Sequence, residues 1–340
     1  MAVAAYRRES QFMSTNSKTG RVAWLTAAAL LLATNAAGAA DYPTRTVKVV
    51  VPFAAAGVTD IVARVVFDKV GRSLNQNFVI DNRPGAGGTI AIDQVVNTPA
   101  DGYTIIMADP SGSLAANVTL YPKLKYNPLR HLAPIAIFGS TGANLIVPAQ
   151  SPAKTAQELV ALAKQKPGEL TFASTGVGTP GHLNGELFSR LAGIKAVHVP
   201  YRVVGQAVTD IVANRISFWI APIPTMLQNV RQGQLRPLAV AGEARSTDLP
   251  GVPTIKETGI GDFDAGTTYA VFGPAGTPRE IVDKLHSEIR KALDDQEVQD
   301  KLRRAGVSPK PGTPEDITRM LQQRIPQWAE VIQSAGIKID

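Results

Sequence analysis

The chain has 340 residues, 44% hydrophobic and 6% aromatic, with 35 Lys and Arg against 28 Asp and Glu and no cysteine. A net charge of +7 spread along the chain gives no concentrated basic patch, which argues against nucleic acid as a partner, and a chain without Cys can form neither a disulfide nor a lipid-modified N-terminal cysteine. Its length exceeds what one hydrophobic core usually fills, so two domains are expected.

The first forty residues read as an export signal. Lys18 and Arg21 precede the apolar run Val22 to Ala33, and the small residues Asn35 to Ala40 follow. Twelve apolar residues fall short of the ~20 a membrane-spanning helix needs, so cleavage after Ala39 or Ala40 is expected in preference to an uncleaved anchor. The polar stretch before Met13 fits no part of such a signal, which makes Met13 an alternative start. Removing Arg7, Arg8, Glu9, Lys18 and Arg21 with the signal leaves a net charge of +4. A periplasmic location is the expectation.

Beyond the signal, strand-like and helix-like runs alternate. Val47 to Phe53 reads as a strand, Ile61 to Leu74 as a helix, Phe78 to Asp81 as a strand and Thr89 to Asn97 as a helix. Tyr103 to Ala108 is a third strand, running into a Ser/Gly loop. This order predicts parallel strands with right-handed crossovers. A second series follows: strand Ala143 to Pro148, helix Thr155 to Gln165, strand Leu170 to Ala173 and helix His182 to Ala192. Then come strand Val197 to Val199, helix Gly205 to Ala213, and strands Ile216 to Ile220 and Leu235 to Ala241. Tyr269 to Gly273 is the last strand. Two amphipathic helices close the chain, Arg279 to Leu293, with Ile281, Leu285, Ile289 and Leu293 at four-residue spacing, and Pro314 to Val331, in which Pro326 is expected to make a kink. With no strands of their own, these helices are expected to return to the first lobe. The domain reading is residues 1–40 as signal, 41–142 with 264–340 as lobe 1, and 143–263 as lobe 2.

Open α/β sheets take ligands beyond the carboxyl ends of their strands. After the first strand, Ala54 to Asp60 offers small residues and a helix start that Thr59 or Asp60 can cap. Either an anion sits there on backbone N–H groups and the helix dipole, or the segment is a tight turn with nothing bound. The glycines of Asp81 to Thr89 miss a dinucleotide fingerprint at Ile90. Asp109-Pro110-Ser111-Gly112-Ser113 presents hydroxyls after the third strand. In the second series Ser174-Thr175-Gly176-Val177-Gly178-Thr179 is again a hydroxyl-rich glycine loop before a helix. Ser174 lacks the setting of a hydrolase nucleophile, and no sequence logic pairs it with His182 or His198. His182 and Glu186, one helical turn apart, make a thin metal pair; His182 reads better as a hydrogen-bond donor at the helix N-terminus. No cofactor, metal or catalytic residue is expected.

The segments "VVPFAAAGVTDIVAR", "DNRPGAGG", "PADGYTIIM", "LYPKLKYNP", "FASTGVGTPGHLNGELF", "VHVPYR", "LRPLAVAGEARS" with "LPGVPTIKETG", and "FGPAGTP" resemble, in that order, the Bug family of periplasmic solute receptors of tripartite tricarboxylate transporters. The resemblance spans essentially the whole chain after the signal. It implies an α/β type II periplasmic-binding-protein fold, two α/β lobes around a ligand cleft, a small carboxylate as ligand and membrane permease subunits as partners. A monomer that closes on its ligand is expected. Carried onto this sequence, the resemblance puts Ala56, Gly57, Thr59 and Asp60 at one carboxylate and Ser111 and Ser113 beside them. Ser174, Thr175, Thr179, His182, Tyr201 and Arg202 are then expected across the cleft.

The chain departs from the family at Ala54-Ala55-Ala56-Gly57, where Pro-Pro-Gly-Gly is usual, and at Val203-Val204, where glycine or serine is usual. In "ISFWIAPIP", Ser217 and Ala221 stand where members that grip an amino group carry an Asp, so the ligand is expected to lack one and to be a dicarboxylate or an aromatic acid. Phe218, Trp219 and Tyr269 are either pocket or core. A sensor that shows its closed form to a signalling partner is the alternative function, and a periplasmic hydrolase or isomerase a third.

Overall fold

The computed structural model describes residues 42–242, 244–246, 248–262 and 264–339, so the export signal and its cleavage point lie outside the described residues. The chain divides into Met1–Thr44, of which only residues 42–44 are described, and Arg45–Asp340, which carries every element below.

The elements in chain order begin with β1 (Val47–Val51), α1 (Val58–Leu74), β2 (Phe78–Asn82), α2 (Thr89–Val96), β3 (Thr104–Ala108) and α3 (Ser113–Leu120). The one-turn α4 (Pro128–His131), β4 (Leu132–Thr141), β5 (Ala143–Pro148), α5 (Ala156–Gln165), β6 (Thr171–Ser174) and α6 (Pro180–Ala192) follow. Next are β7 (Val197–Pro200), α7 (Val204–Val212), β8 (Phe218–Pro222), α8 (Ile223–Arg231) and β9 (Leu235–Ala241). Last come β10 (Thr267–Pro274), α9 (Arg279–Asp294), α10 (Gln296–Arg304), β11 (Ser308–Gly312) and α11 (Pro314–Ser334).

They build two sheets, ordered β11-β4-β10-β3-β1-β2 and β7-β6-β8-β5-β9. β1 pairs in parallel with β2 and β3, and β6 in parallel with β7 and β8, as the alternating order predicts. β10 runs antiparallel to β3 and β4, and β5 antiparallel to β8 and β9. β1 is a continuous valine run because a central parallel strand is covered on both faces; Val47, Val49, Val50 and Val51 are all buried. One apolar core takes in Ile106 and Phe272 from the first sheet and Leu145 and Phe218 from the second. A smaller one, with Ile146, Trp219, Ile211 and Met226, covers the other face of the second sheet.

The chain passes from the first sheet to the second through a single residue, Gly142, between β4 and β5, and returns between β9 and β10. Because β10 and β5 run against their parallel neighbours, the start of each lies beside the carboxyl ends of those strands. Both crossings therefore lie at the edge where a ligand is expected.

Several expectations need correction. α3 occupies what reads as a Ser/Gly loop, and the closing segment does own a strand, since β11 pairs with β4 between α10 and α11. Its sequence, Ser-Pro-Lys-Pro-Gly, is tolerated because it is an edge strand, where proline loses no obligatory ladder bond. α11, which carries Pro326 in its interior, is started by a capping box between Thr313 and Asp316.

Candidate functional site

The site begins where β1 hands over to α1. The N-cap is Gly57, which has no side chain to cap with, so Thr59 and Asp60 are the second and third helical residues and neither is the cap. Asp60 instead turns back: its Oδ2 accepts the Ala56 N–H at 2.9 Å and the Arg64 Nε–H at 3.0 Å, and Arg64 Nη2 pairs with its Oδ1 at 2.9 Å. Burial pushes the Asp60 carboxyl up, but Arg64, the Ala56 amide and Asn82 outweigh it and hold it below the ordinary carboxylate value. Asn82 also donates to the Phe53 carbonyl at 3.1 Å, tying the loop down from β2. Ala56 is held at φ +64°, in the left-handed region. With the Ala56 amide used by Asp60, the α1 donors left are the N–H groups of Val58, Thr59 and Asp60, which have no intrahelical acceptor.

Beside it, Asp109 closes β3 and organises the next loop. Its Oδ1 accepts from the Ser111 amide (3.1 Å), the Ser111 hydroxyl (2.7 Å), the Gly112 amide (3.1 Å) and, from β10, the Thr268 amide (3.1 Å). Oδ2 accepts from the Ser113 amide at 3.3 Å. Burial pushes this carboxyl up against those hydrogen bonds. Ser111 is buried, and its carbonyl receives Trp328 Nε1–H at 2.9 Å.

In the second lobe, the loop between β6 and α6 is closed on itself. The Ser174 hydroxyl donates to the Gly176 carbonyl (2.9 Å) and accepts from its amide (3.0 Å), and the Thr179 hydroxyl donates to the same carbonyl at 2.7 Å. His182 is an acceptor here, correcting the expectation of a donor: its Nδ1 takes the Gly178 N–H at 3.1 Å. Ser174, which sequence logic leaves unpaired, lies 2.6 Å from His198 Nε2, and His198 stacks on His182 with ring centroids 3.7 Å apart. Burial first, and the neighbouring His182 second, push His198 down to about 4. Ser174 is fully buried, so the pairing orders the loop and does not present an oxygen to the cleft. Glu186 Oε1 is 3.7 Å from His182 Nε2, and among the described residues no group of three or more His, Asp or Glu is placed to hold a metal ion.

Between these loops lies a cavity of about 430 Å³. The first lobe lines it with Phe53, Thr59, Asp109 and Ser113 and with the start of β10 at Thr267, Thr268 and Tyr269. The second lobe contributes Thr175, Val177, Gly178, Thr179 and Pro180. Of the residues singled out in the sequence, Thr59, Ser113, Thr175 and Thr179 are brought together on its wall. Ala56, Gly57 and Asp60 shape the loop that carries Thr59, and Ser111, Ser174 and His182 lie behind the lining. Tyr201, Arg202 and Ala221 are not among the lining residues: the Tyr201 hydroxyl donates to Asp210 at 2.9 Å, Arg202 is exposed, and Ala221 is buried in the smaller core. Phe218 and Trp219 are core, whereas Tyr269 faces the cavity.

Sequence reasoning missed Asn117 and Tyr121, four residues apart at the end of α3, because that helix was not expected. Asn117 Nδ2 donates to the Gly87 carbonyl at 3.0 Å, which brings the glycine loop after β2 onto the same wall. It also missed Ile339, which reaches the cavity from beyond α11 with no local signal.

Two α/β lobes joined by crossing strands, with a cavity at the strand ends, are the architecture of a periplasmic solute-binding protein. The description "Tripartite tricarboxylate transporter family receptor" matches residues 62–337, and the chain belongs to that family. It is 34% identical to protein BugT of Bordetella pertussis over 88% of this chain and 91% of that protein. Rpa4515 of R. palustris, solved with adipate, is 34% identical over 87% of this chain and 99% of its own, with a TM-score of 0.72. MatC of Rhodopseudomonas palustris, with bound malate, is 31% identical over 86% of this chain and 100% of its own, with a TM-score of 0.69.

Proposed function

We propose that this chain captures a small organic carboxylate without an amino group, a dicarboxylate or an aromatic acid, by hinge closure and delivers it to the membrane permease subunits of a tripartite tricarboxylate transporter. It works in the periplasm as a monomer, after cleavage near Ala39 or Ala40, and makes or breaks no bond. Lobe 1 is 41–142 with 264–340 and lobe 2 is 143–263. Thr59, Ser113, Thr175 and Thr179 touch the ligand, while Ala56, Gly57, Asp60, Ser111, Ser174 and His182 hold the loops that present them. Tyr201 and Arg202 take no direct part.

The observation that carries this reading is the set of acceptor-less amides at Val58, Thr59 and Asp60, at the start of a 17-residue helix whose second residue faces a cavity between two lobes. An anion is favoured there by both the open N–H groups and the helix dipole. An ammonium is not favoured. Asp109, the acidic side chain on the wall, already accepts from backbone donors and Ser111. Relatives solved with adipate and malate support an acid of this kind.

Thermal melting of the protein from residue 41 onward, stripped of ligand by unfolding and refolding, tests the reading. A receptor gains RT ln(1 + [L]/Kd), about 4 kcal/mol at a thousandfold excess. Melting shifts with acids that lack an amino group are expected. Shifts confined to amino acids overturn that restriction, and no shift with any acid overturns the receptor reading.

A further inference from the structure

The last helix reaches both lobes. α11 packs on α3 and β4 of the first lobe and on α6 of the second. Its tie to the first lobe is buried: Trp328, 2% exposed, donates from Nε1 to the Ser111 carbonyl at 2.9 Å. Its tie to α6 is an exposed ion pair, Arg190 Nη2 to Glu330 Oε2 at 2.6 Å, of a kind that holds elements together weakly. α11 therefore belongs with the first lobe, and the second lobe can turn against it.

The place where it can turn is beside Trp328. Asn184 of α6 donates there to the Ala265 carbonyl at 3.3 Å, in the segment that leads into β10. A void of about 10 Å³, the size of one water, is lined by Ser111, Trp328, Asn184 and Gly266, so the contact beside the crossings is not filled by side chains.

The far end of the same segment makes a second contact with the second lobe. After α11, Ile337 is buried in the main core and Ile339 extends to the cavity wall. Ile339 Cδ1 lies 2.6 Å from the point where a Cβ on Gly178 would stand, and Leu120 Cδ1 of α3 lies 3.6 Å from the same point. Gly178, at φ +73°, leaves that space open because it has no side chain. One side chain carried by the first lobe is thus seated on bare backbone of the second. Opening the cleft would lift Ile339 off Gly178 and return its apolar surface to water, which is unfavourable in proportion to area. No acid has to be present for that contact to form.

We propose that the segment after α11 is a latch: Ile339, seated on Gly178, holds the lobes together before any acid is bound and so sets how much of the free receptor is ready to bind. This rests on the receptor reading above and adds to it. Where an acid binds the closed lobes, its apparent Kd is the intrinsic value divided by the closed fraction, so weakening the latch weakens every acid by one factor. A residue that only touched the ligand would weaken different acids unequally.

The chain has no cysteine, so Ile90→Cys and Val203→Cys, at exposed positions on the two lobes, give a unique pair of spin labels. In the stripped protein the distance between them is expected to be mostly that of the structure, and to lengthen in Ile339→Ser, with Ile339→Val between the two. In calorimetric titrations with each acid that shifts the melting point, adipate and malate among those tried, Ile339→Ser is expected to raise every Kd by the same factor, about three- to tenfold. A stripped protein already wholly at a longer distance, a distance that neither variant changes, or Kd changes that differ from acid to acid overturns the latch. If Ile339→Ser does not fold, Ile339→Val decides alone, by an intermediate lengthening or none. Melting shifts that persist while the latch fails leave the receptor reading standing, whereas loss of every melting shift removes both.

Discussion

The imidazoles of His182 and His198 lie face to face, with ring planes 9° from parallel and centroids 3.7 Å apart. Each ring anchors a different point of the same cavity loop, His182 at the Gly178 amide and His198 at the Ser174 hydroxyl. Two stacked rings at this distance cannot both be charged without repulsion, and His198 is held neutral by burial first and by His182 second.

That assignment predicts a pH effect on stability. The His198 value is depressed from 6.5 to about 4, so the unfolded chain binds the proton first. The stabilisation is complete above pH 6.5 and is lost as the pH falls towards about 4. A melting series over this window should show a component of the acid destabilisation that disappears in His198→Asn, and the His198 ring should titrate near 4 by NMR. A midpoint at the ordinary value would contradict the assignment.

His182→Ala should strand the Gly178 amide, which is otherwise satisfied by Nδ1. The expected loss is about 2 kcal/mol of stability from an unpaired donor and a vacated stack. Ligand affinity should fall with it, because Gly178 and Thr179 line the cavity. Equal affinity in a folded variant would show that the loop does not depend on this anchor.

Asp109→Ala removes the acceptor shared by the amides of Ser111, Gly112, Ser113 and Thr268. Losing it should destabilise the protein by about 3 kcal/mol or more, since each orphaned buried donor costs ~1 to 3 kcal/mol. Asp109→Asn, which keeps one carbonyl oxygen, should lose less. Chemical denaturation of the two variants would separate them; equal losses would mean that shape matters at this position and acceptor count does not.

Ala56 sits at φ +64°, where a β-branched residue is strained and glycine is at ease. Ala56→Gly should therefore be neutral or stabilising by up to about 1 kcal/mol, relief of backbone strain being partly offset by unfolded-chain entropy. Ala56→Val should cost at least about 1 kcal/mol. Denaturation midpoints that move in the reverse order would place the residue outside the left-handed region.

Regular patterns in the sequence led to regular structure. The valine run of β1, the four-residue spacing in α9 and the ends of β5 and β9 were legible because burial periodicity and flanking turn residues agree there. What escaped were elements whose composition works against their state. β11 carries two prolines, α8 has a proline in its first turn, and α10 is a nine-residue polar helix whose buried apolar side chains are only Val298 and Leu302. β4 contains Pro134 and Gly139 and bends at bulges against β10 and β11, which hides its alternation.

The site was legible in part for a similar reason. Glycine and hydroxyl loops at strand ends announce Thr59, Ser113, Thr175 and Thr179. The pairing of Ser174 with His198 depends on β6 and β7 lying side by side in register, Phe172 opposite His198, and that is a fact of topology. Ile339 is more hidden still, since it meets Gly178 across 160 positions of chain.

That none of the described residues on the cavity wall is basic has a consequence for the medium in which the proposed capture would work. An anion held as proposed, by helix-end amides and hydroxyls, has no formal counter-charge on the wall for dissolved salt to screen. Capture of this kind should therefore be nearly as tight in brackish surroundings as in dilute ones.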